Sequence, residues 1–196
     1  MASYVFIPGA GGEAWYWQGV VPLLDARGHQ AIPVVLPAGD DSAGWREYAE
    51  TVVAAIGDRR DLILVAQSLG GFTAPLVCER VPVQLLVLLN AMIPKPGETG
   101  GDWWSNTGQG EPQQSWTPMT QPWPLDAWPD VPTRAVAGRD DRLFPVEFQR
   151  RVARERLGIE ADVLDGGHLL MLSQPDALVE LLERYRAGLR PSPAAA

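Results

Sequence analysis

Short runs of apolar residues alternate along the chain with longer stretches in which apolar positions recur every three or four residues. The short runs predict six strands: Tyr4 to Ile7, Ala31 to Leu36, Leu62 to Ala66, Leu85 to Leu89, Arg134 to Ala137 and Ala161 to Leu164. Most are apolar at successive positions, as strands covered on both faces must be. Between them, Trp45, Tyr48, Val52, Val53 and Ile56 form one helical stripe, and Leu178, Leu181, Leu182 and Tyr185 another. Gly28 and Gly158 stand where a helix ends in a left-handed residue, each just ahead of a strand. This alternation predicts an α/β fold of about six mostly parallel strands joined by crossover helices.

One stretch breaks the rhythm. From about 91 to 131 the chain is rich in Pro, Gly, Gln and Trp, and neither period persists; five of the eight tryptophans (Trp103, Trp104, Trp116, Trp123 and Trp128) lie in it. Disordered linkers are poor in aromatic residues, so the segment reads as an ordered lid after the fourth strand, with 97–114 expected to be its most mobile part. The tail 191–196 offers nothing to bury and is expected to be disordered. Residues 1–190 are then one domain carrying a lid, a size that suits the 196-residue chain.

Composition narrows the partners. Sixteen basic against 24 acidic residues give a net charge of −8, which offers no footprint for phosphate backbones, so nucleic acid is not an expected partner. No apolar run is long enough for a membrane span, and the N-terminal MASYVFIPGAGG has no basic leader region, so a cytoplasmic location is expected. The lone Cys78 forms no internal disulfide, and with only His29 and His168 no metal-ligand spacing exists; neither a metal nor an organic cofactor is expected.

The sharpest chemical feature is Leu64-Val65-Ala66-Gln67-Ser68-Leu69-Gly70-Gly71, where an apolar strand runs straight into a serine between small residues and then into a helical pattern. A nucleophile on a tight strand-to-helix turn needs small side chains two positions before and after it, and Ala66 and Gly70 meet that demand. His168 follows the last strand in a glycine-rich loop, where it is a candidate general base. His29 follows a helix C-terminus and reads as structural. After the fifth strand come Asp140 and Asp141. Either could orient His168 by accepting its Nδ1 proton, and the reading adopted has Asp140 in the turn and Asp141 pointing inward. The order Ser68, Asp141, His168 is that of an α/β-hydrolase triad. Pro8-Gly9-Ala10-Gly11-Gly12 directly after the first strand suits close approach to a substrate, so the backbone N–H groups of Ala10 and Leu69 are candidate oxyanion donors. The same glycines do not form a phosphate loop: the Lys-Ser/Thr ending is missing, and the only lysine is Lys95.

On these residues the chain resembles the α/β-hydrolase superfamily over nearly all of 4–186. The opening Pro8-Gly9-Ala10-Gly11-Gly12-Glu13-Ala14-Trp15-Tyr16-Trp17, with Pro22-Leu23-Leu24 and Gly28-His29, resembles the plant methylesterase and hydroxynitrile lyase group in a short-lid, minimal form. Pro8 stands where that group usually has histidine. The resemblance implies Ser68 as nucleophile, His168 as base, Asp141 as orienting acid, and Ala10 and Leu69 as oxyanion donors. It also implies that a lyase would carry threonine and lysine where this chain has Gly9 and Leu169, which disfavours cyanohydrin cleavage.

The expected activity is hydrolysis of carboxylic esters of small or medium apolar substrates through an acyl-enzyme, by a monomer or homodimer. Gly9, Trp15, Met92, Trp103, Trp104 and Leu169 are candidates for the substrate pocket, though each aromatic or aliphatic one has a core role as its competing reading. The alternatives are a dedicated enzyme on the same triad (thioesterase, lactonase or cyclase) and a non-catalytic ligand-binding protein of this fold.

Overall fold

Each of the six apolar runs forms a strand: β1 (Ser3–Ile7), β2 (Gln30–Pro33), β3 (Leu62–Gln67), β4 (Val83–Leu89), β5 (Thr133–Gly138) and β6 (Ala161–Leu164). The computed structural model describes residues 1–107 and 117–189. Within it the strands make one sheet in the order β2-β1-β3-β4-β5-β6, with every neighbouring pair parallel. The helices are α1 (Val21–Asp25), α2 (Trp45–Ile56), α3 (Gly70–Cys78), α4 (Gly100–Thr107), α5 (Thr117–Thr120), α6 (Val146–Leu157), α7 (Leu170–Ser173) and α8 (Pro175–Ala187).

Strand alternation sorts the core into two layers. Val5, Ile7, Leu64, Ala66, Leu86 and Leu88 face one side, where α2, α3, α6 and the segment after β4 cover them. Tyr4, Phe6, Ile63, Val65, Leu85 and Val87 face the other, against Trp17, Leu24 and the Leu178, Leu181 and Leu182 stripe of α8. Gly28 (φ 79°) and Gly158 (φ 66°) take the left-handed conformation foreseen for them.

β2 is shorter than its apolar run. It ends at Pro33, and the following residues turn toward the glycine loop, where the Leu36 N–H donates to the Gly12 carbonyl at 3.1 Å. The Val34 N–H still donates to the Phe6 carbonyl of β1 at 3.0 Å; beyond it, pairing with that loop replaces pairing with the sheet, and a proline is tolerated because β2 is an edge strand.

The segment after β4 is more regular than its composition predicts. Residues 97–107, expected to be mobile, carry α4 and are fastened to the body; 108–114, the rest of that expectation, lie outside the described residues, as do Trp116 and the tail 191–196. Three tryptophans order the segment by donating their indole N–H to backbone carbonyls: buried Trp123 ties it to Phe72 on α3 (3.0 Å), while buried Trp103 bonds Ile93 (3.0 Å) and half-buried Trp128 bonds Pro94 (2.9 Å) within it. A buried ion pair adds to them, with Arg156 of α6 donating to both carboxylate oxygens of Glu98 at 2.5 and 2.9 Å. Burial opposes the Glu98 charge, but the bonds from Arg156, Asn106 and the Lys95 N–H outweigh it and hold the carboxyl below its ordinary range.

Candidate active site

At the carboxyl end of β3 the backbone folds back so sharply that Ser68 takes φ 51°, a left-handed conformation costly for a residue with a Cβ. The neighbours explain how the turn closes. The Ser68 carbonyl accepts from the N–H groups of Gly71 (3.1 Å) and Met92 (2.9 Å). A Cβ on Gly70 would lie 2.8 Å from the Ile7 carbonyl oxygen, and one on Gly71 would collide with that of Met92. Both glycines are therefore required by close approach.

The glycine loop after β1 lies directly against this turn. A Cβ on Gly9 would come within 2.7 Å of Ser68 Cβ and 2.6 Å of Gln67 Oε1. The Gly9 N–H donates to Gln67 Oε1 at 3.1 Å, which fixes the loop beside the serine. Among the described residues, the N–H groups of Ala10 and Leu69 have no acceptor within the chain.

The acid turn after β5 and the histidine loop after β6 also meet. His168 Nδ1 lies 2.8 Å from Asp141 Oδ2. Asp141 is 4% exposed, whereas Asp140 is exposed. Asp141 Oδ1 accepts from the backbone N–H groups of Leu143 (2.8 Å) and Phe144 (2.9 Å), and Gln149 of α6 donates to Oδ2 at 3.2 Å. The carboxylate thus has two backbone donors, an amide and the imidazole, enough to satisfy a buried charge. Phe144 sets an edge against the His168 ring at 5.1 Å between centroids.

His29 sits elsewhere. It is in a network on the α8 side, with Nε2 3.1 Å from Glu183 Oε2 and Nδ1 accepting the Ala2 N–H at 3.1 Å. The pocket candidates fall into three groups. Met92 (2% exposed) and Trp103 (0%) are core residues, Trp103 packing on Phe144 and Phe148. Trp104 and Leu169 are half-buried, with Trp104 against Phe144 at 5.4 Å. Trp15 is 52% exposed on the short 3-10 helix Ala14–Trp17 that follows the glycine loop, and packs on Tyr16.

Three buried polar residues at the site had no role in the sequence reading: Gln67, Asn90 and Gln149. Gln67 and Asn90 are each the polar exception in an apolar stretch, which is the signal that marks them; Gln149, among the charged residues of α6, carries no such signal. A cleft of about 500 Å³ opens at the other end of the sheet, lined by Met1, Ser3, Gln30 and the Asp58 to Asp61 turn, and shares no residue with this site. Among the described residues, no helix is long and apolar enough to cross a membrane, and no cluster of three His, Cys, Asp or Glu is placed to hold a metal ion.

A parallel sheet with a strained serine at the tip of a central strand and a histidine-carboxylate pair on later loops defines the class of protein. The alpha/beta hydrolase family matches the chain at residues 4–115 and 100–181, and the chain belongs to that family. It is similar to a probable esterase, PIR7A, of Oryza sativa subsp. indica, with 36% identity over 110 residues that make up 50% of this chain and 42% of the relative. Polyneuridine aldehyde esterase of Rauvolfia serpentina is 30% identical over 108 residues, 49% of this chain and 41% of the relative. The matched part thus spans less than half the length of these curated relatives. In fold the chain resembles the crystal structure of a pyrethroid hydrolase from Sphingobium faniae JZ-2, with TM-score 0.80 at 21% identity, covering 95% of this chain and 98% of the other. It also resembles an Arabidopsis methylesterase, MES16, with TM-score 0.77 at 21% identity, covering 96% and 100%.

Proposed function

We propose that the protein is a serine hydrolase that cleaves carboxylic esters of small or medium apolar substrates, with Ser68 as nucleophile, His168 as general base and Asp141 as its orienting acid. The observation that carries this reading is the 2.8 Å bond between His168 Nδ1 and the buried Asp141. With Nδ1–H held by the carboxylate, Nε2 is the nitrogen left to take a proton from Ser68. In the first half-reaction Ser68 Oγ attacks the ester carbonyl as its proton passes to His168 Nε2. The carbonyl oxygen becomes an oxyanion held by the N–H groups of Ala10 and Leu69. Collapse expels the alcohol, which takes the proton from His168, and leaves an acyl-serine. Water, deprotonated by His168, attacks the acyl carbonyl, and the acid departs as the serine regains its proton.

The names of the relatives, a probable esterase and polyneuridine aldehyde esterase among them, support ester chemistry. Gly9 and Leu169 supply no cation for a departing cyanide, which disfavours cyanohydrin cleavage, although an Arabidopsis alpha-hydroxynitrile lyase is 29% identical over 103 residues. Residues 1–190 act as one domain in this reading, with 91–131 as its lid, and no cofactor takes part.

The test is hydrolysis of short p-nitrophenyl esters by wild type and Ser68→Ala at mildly alkaline pH. Turnover by the wild type alone is expected. If neither turns over, a fluorophosphonate probe read by mass spectrometry decides. A labelled Ser68 points to a dedicated thioester or lactone substrate, and an unlabelled one to a ligand-binding protein.

A further inference from the structure

Asn90 directly follows β4, lies fully buried and has φ 45°, a left-handed conformation that asparagine tolerates better than most residues. Its backbone N–H donates to the Val136 carbonyl of β5 at 2.8 Å. Its side chain reaches across the sheet end in two directions. Oδ1 accepts the Gly138 N–H at 2.6 Å, at the start of the turn that carries Asp141. Nδ2 donates to the carbonyls of Gly167 (3.2 Å) and His168 (2.9 Å). The partners fix the amide's orientation, because a flipped amide would set N–H against N–H and oxygen against oxygen.

Gln67, on the tip of neighbouring β3, repeats the arrangement. Its Oε1 accepts the Gly9 N–H at 3.1 Å, and its Nε2 donates to the same His168 carbonyl at 3.4 Å, a longer and weaker bond. The His168 carbonyl is thus where two buried carboxamides converge. One leads to the acid turn and the other to the glycine loop.

We propose that Asn90 is a positioning residue that keeps the Asp141 turn and the His168 loop in register, with Gln67 tying the glycine loop to the same carbonyl. This rests on the hydrolase reading above. The physical reason is that the acid and base come from separate loops with no covalent constraint between them. A carboxamide bonds a backbone N–H and a backbone carbonyl at once, which neither a carboxylate nor an apolar side chain of the same size does. The acid turn and histidine loop are also in direct contact: a Cβ on Gly138 would lie 2.6 Å from the Gly167 carbonyl oxygen. A small shift of either loop therefore changes the Asp141–His168 pair.

Asn90→Gly removes the carboxamide while leaving the backbone free to keep its conformation. In the folded variant kcat on p-nitrophenyl acetate is expected to fall about tenfold or more with KM within about twofold. The acid limb of the kcat/KM profile should shift, and the downfield proton resonance of the His168–Asp141 bond should broaden or vanish. An Asn90→Gly enzyme that keeps the wild-type limb and resonance overturns the proposal, whatever its melting temperature. If Asn90→Gly does not fold, Gln67→Met decides by the rate at which a fluorophosphonate labels Ser68: slower labelling supports the two-amide tie, and a wild-type rate overturns it. Wild type that neither hydrolyses esters nor labels at Ser68 overturns the hydrolase reading itself, whereas active wild type with unchanged variants overturns only the positioning role.

Discussion

Gly9 lies so close to Ser68 that a single added methyl group would sit 2.7 Å from the serine Cβ. In the proposed mechanism this contact seats the glycine loop beside the nucleophile, where the oxyanion would form. It also accounts for a residue without a side chain at this position.

Gly9→Ala is accordingly expected to push the loop away from Ser68 and to weaken the Gly9 bond to Gln67. Loss of one oxyanion donor costs about 10² to 10³ in kcat, and a fall of that order on p-nitrophenyl acetate is the expected result. Wild-type turnover in Gly9→Ala would show that the loop does not serve the oxyanion.

Asp141 and Asp140 are adjacent in the chain but differ in burial and partners. Asp141→Asn keeps the shape but reverses the hydrogen-bond preference at Nδ1, so kcat is expected to fall by about 10⁴. Asp140→Asn, on an exposed carboxylate, should stay within about twofold of wild type. Side-by-side kinetics of the two variants check the assignment, and a larger loss in Asp140→Asn would reverse it.

Trp103 and Trp15 should separate stability from recognition. Truncating the fully buried Trp103 to alanine is expected to cost about 3–5 kcal/mol of unfolding free energy by urea titration. Trp15→Ala should change stability by less than about 0.5 kcal/mol. If Trp15 forms part of the substrate rim, its variant raises KM for aryl esters more than for acetate esters, and equal KM values would remove it from the site.

The Glu98–Arg156 pair is enclosed on both sides, with side chains 3% and 4% exposed. Arg156→Met strands the Glu98 charge and is expected to destabilise by about 3–5 kcal/mol, while Glu98→Met with Arg156→Met should regain much of that loss. Denaturant melts of the two variants test this, and a double variant no more stable than the single would show that the charge was not the cause.

Acid unfolding should report Glu183. Burial works against its charge, but Arg186, the Tyr4 hydroxyl and His29 bring its carboxyl down from 4.5 to about 2. A carboxyl with a lowered folded pKa adds stability that is fully present above its unfolded value and is lost as the pH falls through the folded one. The window therefore runs from about pH 4.5 down to about 2. Glu183→Gln should lower the melting temperature at pH 7 and flatten its dependence on pH in that window, and an unchanged slope would assign the acid sensitivity to other carboxyls.

The chain by itself determined the strand count, the two-faced burial of the sheet and the order of the three candidate catalytic residues. Periodicity and small residues around a serine are local properties, written in consecutive positions. Its reading of the segment after β4 was incomplete, because prolines and glycines mask the helical period and Trp103, Trp123 and Trp128 find their carbonyl partners only through packing, as Trp123 does with Phe72 on α3. Only the tertiary structure decided between Asp140 and Asp141 as the partner of His168, since neighbouring carboxylates in a turn look alike until one is buried. It also showed what Asn90, Gln67 and Gln149 do. Their partners lie on other strands and loops, and a buried polar group takes its meaning from the donors and acceptors that the fold brings to it.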